Sequence, residues 1–180
     1  ITLKIKYTTT EDGLNLIKEY RKQYSYVLHY AYNRRCEGVI EKDIEHQISL
    51  LNNIPLIKSY LKRCAVKNAT QLIKDGDNKQ LIFGGKKNFI DRCKGKITKD
   101  EFLNNRLSKL FIIGEANQHG NRMVVINENL DSFTFKPTMK DKIVLSIDGR
   151  YKRYKTLLNK LYHLQQDKQI SITYKLNNEY

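Results

Sequence analysis

The 180-residue chain carries 33 Lys and Arg against 19 Asp and Glu, which gives a formal net charge of +14. A surplus of this size favours a polyanion such as nucleic acid as the partner, with a generally solvated basic surface as the alternative. Cys36, Cys64 and Cys93 have no C-x-x-C spacing, which argues against a disulfide framework or a four-ligand zinc site and for reduced thiols. No apolar run approaches the roughly 20 residues of a membrane span and no signal peptide opens the chain, so we expect a cytoplasmic protein without a membrane partner.

The chain begins with a predicted strand and a long predicted helix. Residues 1–7 alternate apolar and polar side chains, as a strand with one buried face does. A helix is predicted from Asp12 to Glu37, and its core stripe is Ile17, Tyr20, Tyr24, Val27, Leu28 and Ala31. A second stripe, with the arginine that follows it, is predicted to stack on bases or to hydrogen-bond to them: Tyr26, Tyr30, Asn33 and Arg34. The alternative is that these tyrosines pack against a neighbouring helix.

Two further helices and a double glycine follow. The helices are predicted over residues 41–51 and 55–74, with Pro55 at the first position of the second helix. The run Gly84-Gly85-Lys86-Lys87 places bare backbone amides beside two lysines, which favours contact with a phosphodiester backbone. A nucleotide P-loop is excluded because its G-x-x-x-x-G-K-[ST] spacing is missing, and an ordinary turn is the alternative.

Residues 83–122 are the most basic glycine-rich part of the chain, with five of the nine glycines. Short helices are predicted at residues 88–93 and 99–110, and Thr98 with Glu101 has the spacing of a capping box. The cations of this segment are predicted to contact phosphates: Lys86, Lys87, Arg92, Lys94, Lys96, Arg106 and Lys109. A loop over residues 114–122 adds Asn121 and Arg122 to the candidates.

The last third of the chain reads mostly as strands, predicted at residues 123–126, 132–136, 142–147 and 170–176. A helix over residues 150–166 begins with three further candidate phosphate ligands, Arg150, Lys152 and Arg153. Cations at a helix N-terminus oppose its dipole, and a bound phosphate would offset that penalty. The first strand needs a partner among the C-terminal strands. The expected fold is therefore α+β, a small antiparallel OB-like barrel with a helical insertion, and such barrels commonly bind nucleic acid.

The run FGGKKNF…R.KGKI..DEF…RL..L…GEA…GNR, within residues 83–122, resembles the OrfB-type transposon proteins called TnpB. These are RNA-guided DNA nucleases related to type V CRISPR effectors. The resemblance covers essentially the whole chain, and it implies a wedge-type barrel at residues 1–10 and 111–180 with a helical recognition domain inserted at residues 11–110. It implies guide RNA and target DNA as partners, in a prokaryotic or phage-infected cell. The chain would hold the guide RNA and the guide–target heteroduplex, and it would read a short motif beside the target.

The resemblance also implies that the catalytic part of such a protein lies outside these residues. The family's RuvC-like nuclease domain and zinc ribbon would follow Tyr180, so we expect no catalytic residue, metal or cofactor here, and Mg²⁺ only in the nuclease domain. Residues 143–149 look like a first RuvC strand ending at Asp148, but Asp-Gly is a common turn pair and no further carboxylates complete a two-metal site. Two rival hypotheses remain: a stand-alone nuclease-less RNA-guided regulator, and a small nuclease that uses Asp148.

Overall fold

The computed structural model describes residues 3–75, 80–149 and 154–177, and in them the chain is an α+β protein. Its helices are α1 Glu11–Cys36, α2 Glu41–Ser49, α3 Ser59–Asp75, α4 Gly85–Cys93, α5 Lys99–Asn105 and α6 Lys155–Gln166. Its strands are β1 Tyr7–Thr8, β2 Leu110–Ile112, β3 Val124–Ile126, β4 Ser132–Phe135, β5 Ile143–Ile147 and β6 Tyr174–Leu176. No helix in these ranges is long and apolar enough to cross a membrane.

The chain divides into two compact units. One, the strand unit, combines Ile1–Lys18 with Phe111–Tyr180, and the other, the helical unit, is Glu19–Leu110. The sequence places the first boundary after Thr10, whereas the first two turns of α1 belong to the strand unit. A Cβ atom added at Gly13 would lie 3.1 Å from Cγ2 of Ile143, which shows how closely this part of α1 packs on β5.

The strand unit contains a four-stranded antiparallel sheet in the order β1-β5-β4-β3. Tyr7 lies opposite Ile147, so the predicted pairing of the first strand with the C-terminal strands is confirmed. That first strand is shorter than predicted, because β5 ends at Ile147. The carbonyl of Lys6, which accepts from Asp148 N at 3.2 Å, extends the pairing by one bond.

The sheet of the described residues is open, with β1 and β3 at its edges, and β2 and β6 form a separate pair. The structure therefore confirms an antiparallel sheet and not the closure of a barrel. On β5, Ile143 and Leu145 are buried while Val144 and Ser146 are exposed, the alternation of a sheet with one face toward the core. Gln165 of α6 is fully buried, and its Oε1 accepts from Ile126 N at 3.5 Å.

The helical unit is organised on α1, whose predicted core stripe is confirmed in full. Its fully buried or nearly fully buried members are Ile17, Tyr20, Tyr24, Val27, Leu28 and Ala31. The prediction that Pro55 begins a helix is wrong. Ile57 N donates to Ile54 O at 3.2 Å in a turn, and Leu56 N donates to Oε1 of Gln23 on α1 at 2.9 Å, so α3 begins at Ser59.

The helix predicted over residues 99–110 is also too long. It ends at Asn105, and Leu110–Ile112 instead forms β2. The residues between them are held by side chains of α1, since Ser25 Oγ accepts from Ser108 N at 2.8 Å. This bond across the unit thus takes the place of a helical bond that the sequence pattern predicts.

Candidate nucleic-acid interface

Most of the predicted phosphate ligands lie in residues 84–109, which contain the two short helices α4 and α5. We call these residues the basic hairpin. It begins at Gly84, which precedes α4 and has a left-handed φ of 83°. A Cβ atom there would lie 2.8 Å from Asn88 Nδ2, 2.9 Å from Arg106 Cγ and 3.1 Å from Asn105 O. Gly84 is therefore required by close packing inside the hairpin as well as by its backbone conformation. The double glycine is a turn, and α4 begins at Gly85, three residues earlier than predicted.

A polar clasp joins the two helices of the basic hairpin. Asn88 is only 7% exposed, and its Oδ1 accepts from Asn105 Nδ2 at 2.9 Å. Its own Nδ2 donates to the carbonyl of Phe102 at 3.3 Å. Both amide atoms of a buried side chain are thus satisfied within the hairpin. The sequence pattern gave no sign of this clasp, because Asn88 lies among apolar and charged residues with no recognisable period.

The start of α5 matches its prediction. The side chain of Thr98 accepts from Glu101 N at 3.2 Å, while Thr98 N donates to Oε2 of Glu101 at 2.7 Å. This is the predicted capping box. The hydrogen bond from the Thr98 backbone, followed by the one from its side chain, lowers the pKa of Glu101. Glu101 therefore stays ionised and satisfies amides of its own helix.

Side chains of α1 anchor the C-terminal end of the hairpin. Arg21 is only 4% exposed, and its guanidinium donates to the carbonyls of Ser108 and Leu107 at 3.0 and 3.1 Å. The burial of Arg21 was not predicted from the sequence. The signal was present, because Arg21 follows Ile17 by four residues and precedes Leu28 by seven, on the core stripe of the helix.

His29 of α1 contacts Phe83, the residue directly before the hairpin, and the backbone of Arg106 within it. Its ring lies 3.8 Å from that of Phe83, and Phe83 also packs edge-on against Tyr32 at 5.4 Å. Burial and then the positive charge of Arg106 lower the pKa of His29 to about 4, against a hydrogen bond to the backbone of Arg106 that raises it. His29 is therefore neutral at pH 7. Its ring packs against the ring of Phe83, and it has no positive charge with which to attract a phosphate.

The charges of the basic hairpin are unbalanced and accessible. Residues 84–109 contain eight Lys and Arg against three Asp and Glu. Arg92 donates to Ile97 O at 3.3 Å, and Arg106 is half-buried with its guanidinium 5.2 Å from the ring of Phe102. The remaining predicted ligands are exposed, and within the part of the chain that the structure describes they form no ion pair: Lys86, Lys87, Lys94, Lys96 and Lys109. An anion can approach them without breaking an existing bond.

The four candidates on α1 have separate environments. Tyr26 is 45% exposed and Asn33 is exposed. The hydroxyl of Tyr30 and Nε of Arg34 both donate to Oε1 of Gln47 on α2, at 2.8 and 3.2 Å. Arg34 also pairs with Glu37. Tyr30 therefore packs against a neighbouring helix, as the alternative interpretation of these tyrosines has it, whereas Tyr26 is exposed.

An exposed strip remains on α1 between its two packed faces. Lys22, Tyr26 and Asn33 form this strip, with Lys22 paired to Glu19 at 2.5 Å. Viewed down the helix axis, the strip lies between His29 and Tyr30. His29 contacts Arg106 of the basic hairpin, and Tyr30 contacts Gln47 of α2. Tyr26 and Asn33 thus keep the accessibility that base contact requires.

In the strand unit, the predicted contact residue Asn121 is buried. Asn121 is 1% exposed, and its Nδ2 donates to the carbonyls of Ile112, Ile113 and Ile172 at 3.2, 3.1 and 2.8 Å. Its Oδ1 accepts from the amides of residues 123 and 124. Asn121 is a structural residue and leaves the candidate interface. Its neighbour Arg122 is exposed, whereas Arg150, Lys152 and Arg153 lie outside the described residues.

In residues 3–75, 80–149 and 154–177 no group of three or more His, Cys, Asp or Glu is placed to hold a metal ion. Asp148 is half-buried and directly follows β5, where its amide bonds to Lys6 O. No protein-family model, no curated protein and no solved structure matches this chain.

Proposed function

We propose that this chain is the nucleic-acid-binding part of a TnpB-like RNA-guided DNA endonuclease. It holds the guide RNA and the guide–target heteroduplex, and it reads a short motif beside the target. The observation that carries the proposal is the basic hairpin, whose exposed lysines have no ion pair among the described residues. The segment that folds as this hairpin is also the segment that carries the resemblance to the family.

In this proposal the protein supplies affinity and the guide supplies sequence specificity. Lysines that are free of carboxylate partners release counterions when they bind phosphate, and this gives affinity without sequence specificity. In a guided system base pairing supplies the sequence specificity, and the protein needs only to recognise the shape of the helix and a short motif. The phosphate ligands would be the cations of the basic hairpin, with Arg122 and residues 150–153 in addition. Tyr26 and Asn33 would contact bases.

The finer fold belongs to the same proposal. We assign the strand unit to a wedge-type, OB-like barrel and the helical unit to the recognition domain. In support, β1 pairs with β5 although the helical unit lies between them in the sequence, as a barrel interrupted by an insertion requires. Catalysis and its Mg²⁺ would belong to a nuclease domain outside these residues.

The test is the salt dependence of binding by the full chain to a fluorescein-labelled RNA–DNA heteroduplex of about 20 base pairs. We expect a plot of log K against log salt with a slope steeper than about −4, as several neutralised phosphates require. The double variant Lys86→Gln/Lys87→Gln is expected to weaken binding and to make the slope shallower by about 1.5, since each lost contact removes about 0.7 to 0.9.

The matched control is Lys42→Gln/Lys67→Gln. These two lysines are also exposed and helical, but they lie on α2 and α3, away from the basic hairpin. The control removes the same charge and is expected to change the slope less. A flat salt response of the wild type, or equal effects of the two double variants, would contradict the proposal.

A further inference from the structure

Helix α4 shows an inverted pattern of burial. Over its nine residues the buried side chain is the polar Asn88, while the adjacent Phe89 is 50% exposed. A helix that only supported the fold would bury its aromatic ring, because burying a phenylalanine stabilises a protein by roughly 2 kcal/mol. Here Asn88 is held against α5, and Phe89, about 100° further around the helix, lies on the side exposed to solvent.

The surroundings of Phe89 are cationic. Lys86 and Arg92 lie three residues before and after it, so both share its face of the helix. Six residues of helix separate these two cations by about 9 Å along the axis, with the ring between them. Asp91 lies two residues after Phe89 and therefore points to a different face.

The face of the ring is also accessible. Gly85 lies one turn before Phe89, and a Cβ atom added at Gly85 would meet nothing within 4 Å. Within the described residues Phe89 has no aromatic partner and no cation over its ring. A flat group can therefore approach from the side where the helix carries no side chain.

We propose that Phe89 is a stacking platform for an unpaired base of single-stranded nucleic acid, with Lys86 and Arg92 on the phosphates either side of it. This inference rests on the proposed function and deepens it, because it names single-stranded nucleic acid as the ligand of this face. The bases of a duplex are stacked on each other and do not present their faces, so the ring needs an unpaired nucleotide. Flanking cations select a polyanion over an apolar partner helix. They also oppose a second copy of this chain, whose own charge is +14.

The experiment compares single-stranded and duplex probes on the full chain. A fluorescein-labelled 12-nucleotide oligo(dT), roughly the site size of a stacking groove, is titrated by anisotropy beside a 12-base-pair duplex of the same sequence. Phe89→Ala is expected to weaken binding of the single strand about tenfold and to leave the duplex and the salt slope unchanged. Phe89→Trp keeps a stacking ring and is expected to bind at least as tightly as the wild type. Leu103→Ala, an exposed apolar residue on α5 that has no ring, is the matched control and is expected to have no effect.

Direct contact is tested by photocrosslinking a 4-thiouridine-substituted oligonucleotide and locating the crosslink by mass spectrometry. A crosslink in residues 85–93 that is lost in Phe89→Ala supports the proposal. Equal loss of single-strand and duplex binding, or a Phe89→Ala variant that binds as the wild type while the salt slope persists, overturns the stacking role and leaves the proposed function standing. A flat salt slope in the wild type overturns the proposed function itself. A change of oligomeric state in sedimentation for Phe89→Ala assigns the ring to self-association and also overturns the proposal.

Discussion

Nδ2 of Asn105 donates a 2.9 Å hydrogen bond to Oδ1 of the buried Asn88, and this bond connects the two helices of the basic hairpin. Since Asn88 also donates to Phe102 O, its amide ties α4 to α5 at both atoms. The two helices bury no apolar residue completely. The orientation of Lys86 and Lys87 on α4 therefore depends on polar contacts more than on a hydrophobic seam.

Replacing Asn88 by Ala is expected to destabilise the protein by about 2 kcal/mol, because it leaves the Phe102 carbonyl and the Asn105 amide without their partner. Urea-induced unfolding monitored by circular dichroism measures this loss. Asn104→Ala, an exposed residue on the same helix as Asn105, is the matched control and is expected to change stability little. Equal stability of the two variants would show that the clasp contributes nothing.

Arg21→Lys is expected to destabilise the protein although it preserves the charge. The guanidinium donates to two successive carbonyls, Leu107 O and Ser108 O, in a geometry that a single ammonium cannot reproduce. The expected loss is about 2 kcal/mol, as for other buried bonds to a charged group. The measurement is the midpoint of urea unfolding, with the exposed Lys22→Arg as the control in the neighbouring position. A midpoint equal to that of the wild type would show that one donor suffices.

The long periodic elements could be predicted from the sequence. The stripe from Ile17 to Ala31 has a helical period over four turns, and the structure buries every predicted member. The strand predicted at residues 142–147 is likewise confirmed, as β5. In each case a single local period determines which side chains face the core.

The predictions failed where long-range polar contacts decide the outcome. The helix predicted to run to Leu110 ends at Asn105, since the side chains of Arg21 and Ser25 bind the residues after it. These two side chains lie over 80 residues away in the chain. Asn121 lies in a predicted loop and is a residue type that often contacts ligands. The structure shows instead that its side-chain amide is hydrogen-bonded to five backbone groups. Local patterns carry no information about such partners, and for the same reason they did not reveal Asn88.

The stability of the protein is expected to fall as the pH drops from 7 to 5, in part through His29. Burial lowers its pKa from the ordinary value of 6.5 to about 4. Between these values the unfolded chain binds a proton that the folded chain does not, so protonation favours unfolding and the stabilisation is lost as pH falls. His29→Gln is expected to be less sensitive to pH over this range in urea unfolding. The direct measurement is the NMR titration of the His29 ring, and a midpoint near 6.5 would contradict its burial against Phe83.

Asn121 offers the sharpest test of a structural role against a binding role. Asn121→Ala removes a donor to three carbonyls and an acceptor for two amides, and we expect a loss of about 3 kcal/mol. Asn121→Asp keeps the shape but faces Ile112 O, Ile113 O and Ile172 O with a carboxylate that has no proton to donate. It should therefore be less stable than Asn121→Ala at pH 7.

The pH dependence of Asn121→Asp follows from the same contacts. Burial and the three carbonyls favour the protonated form of the introduced carboxyl group in the folded state, against the amides of residues 123 and 124, which favour the charged form. This variant should regain stability relative to Asn121→Ala as the pH falls, which urea unfolding at pH 7 and pH 5 measures. Arg122→Gln, at the exposed neighbouring position, is the control and is expected to leave stability nearly unchanged. If Asn121→Ala instead folded as stably as the wild type and lost only nucleic-acid binding, residue 121 would return to the interface.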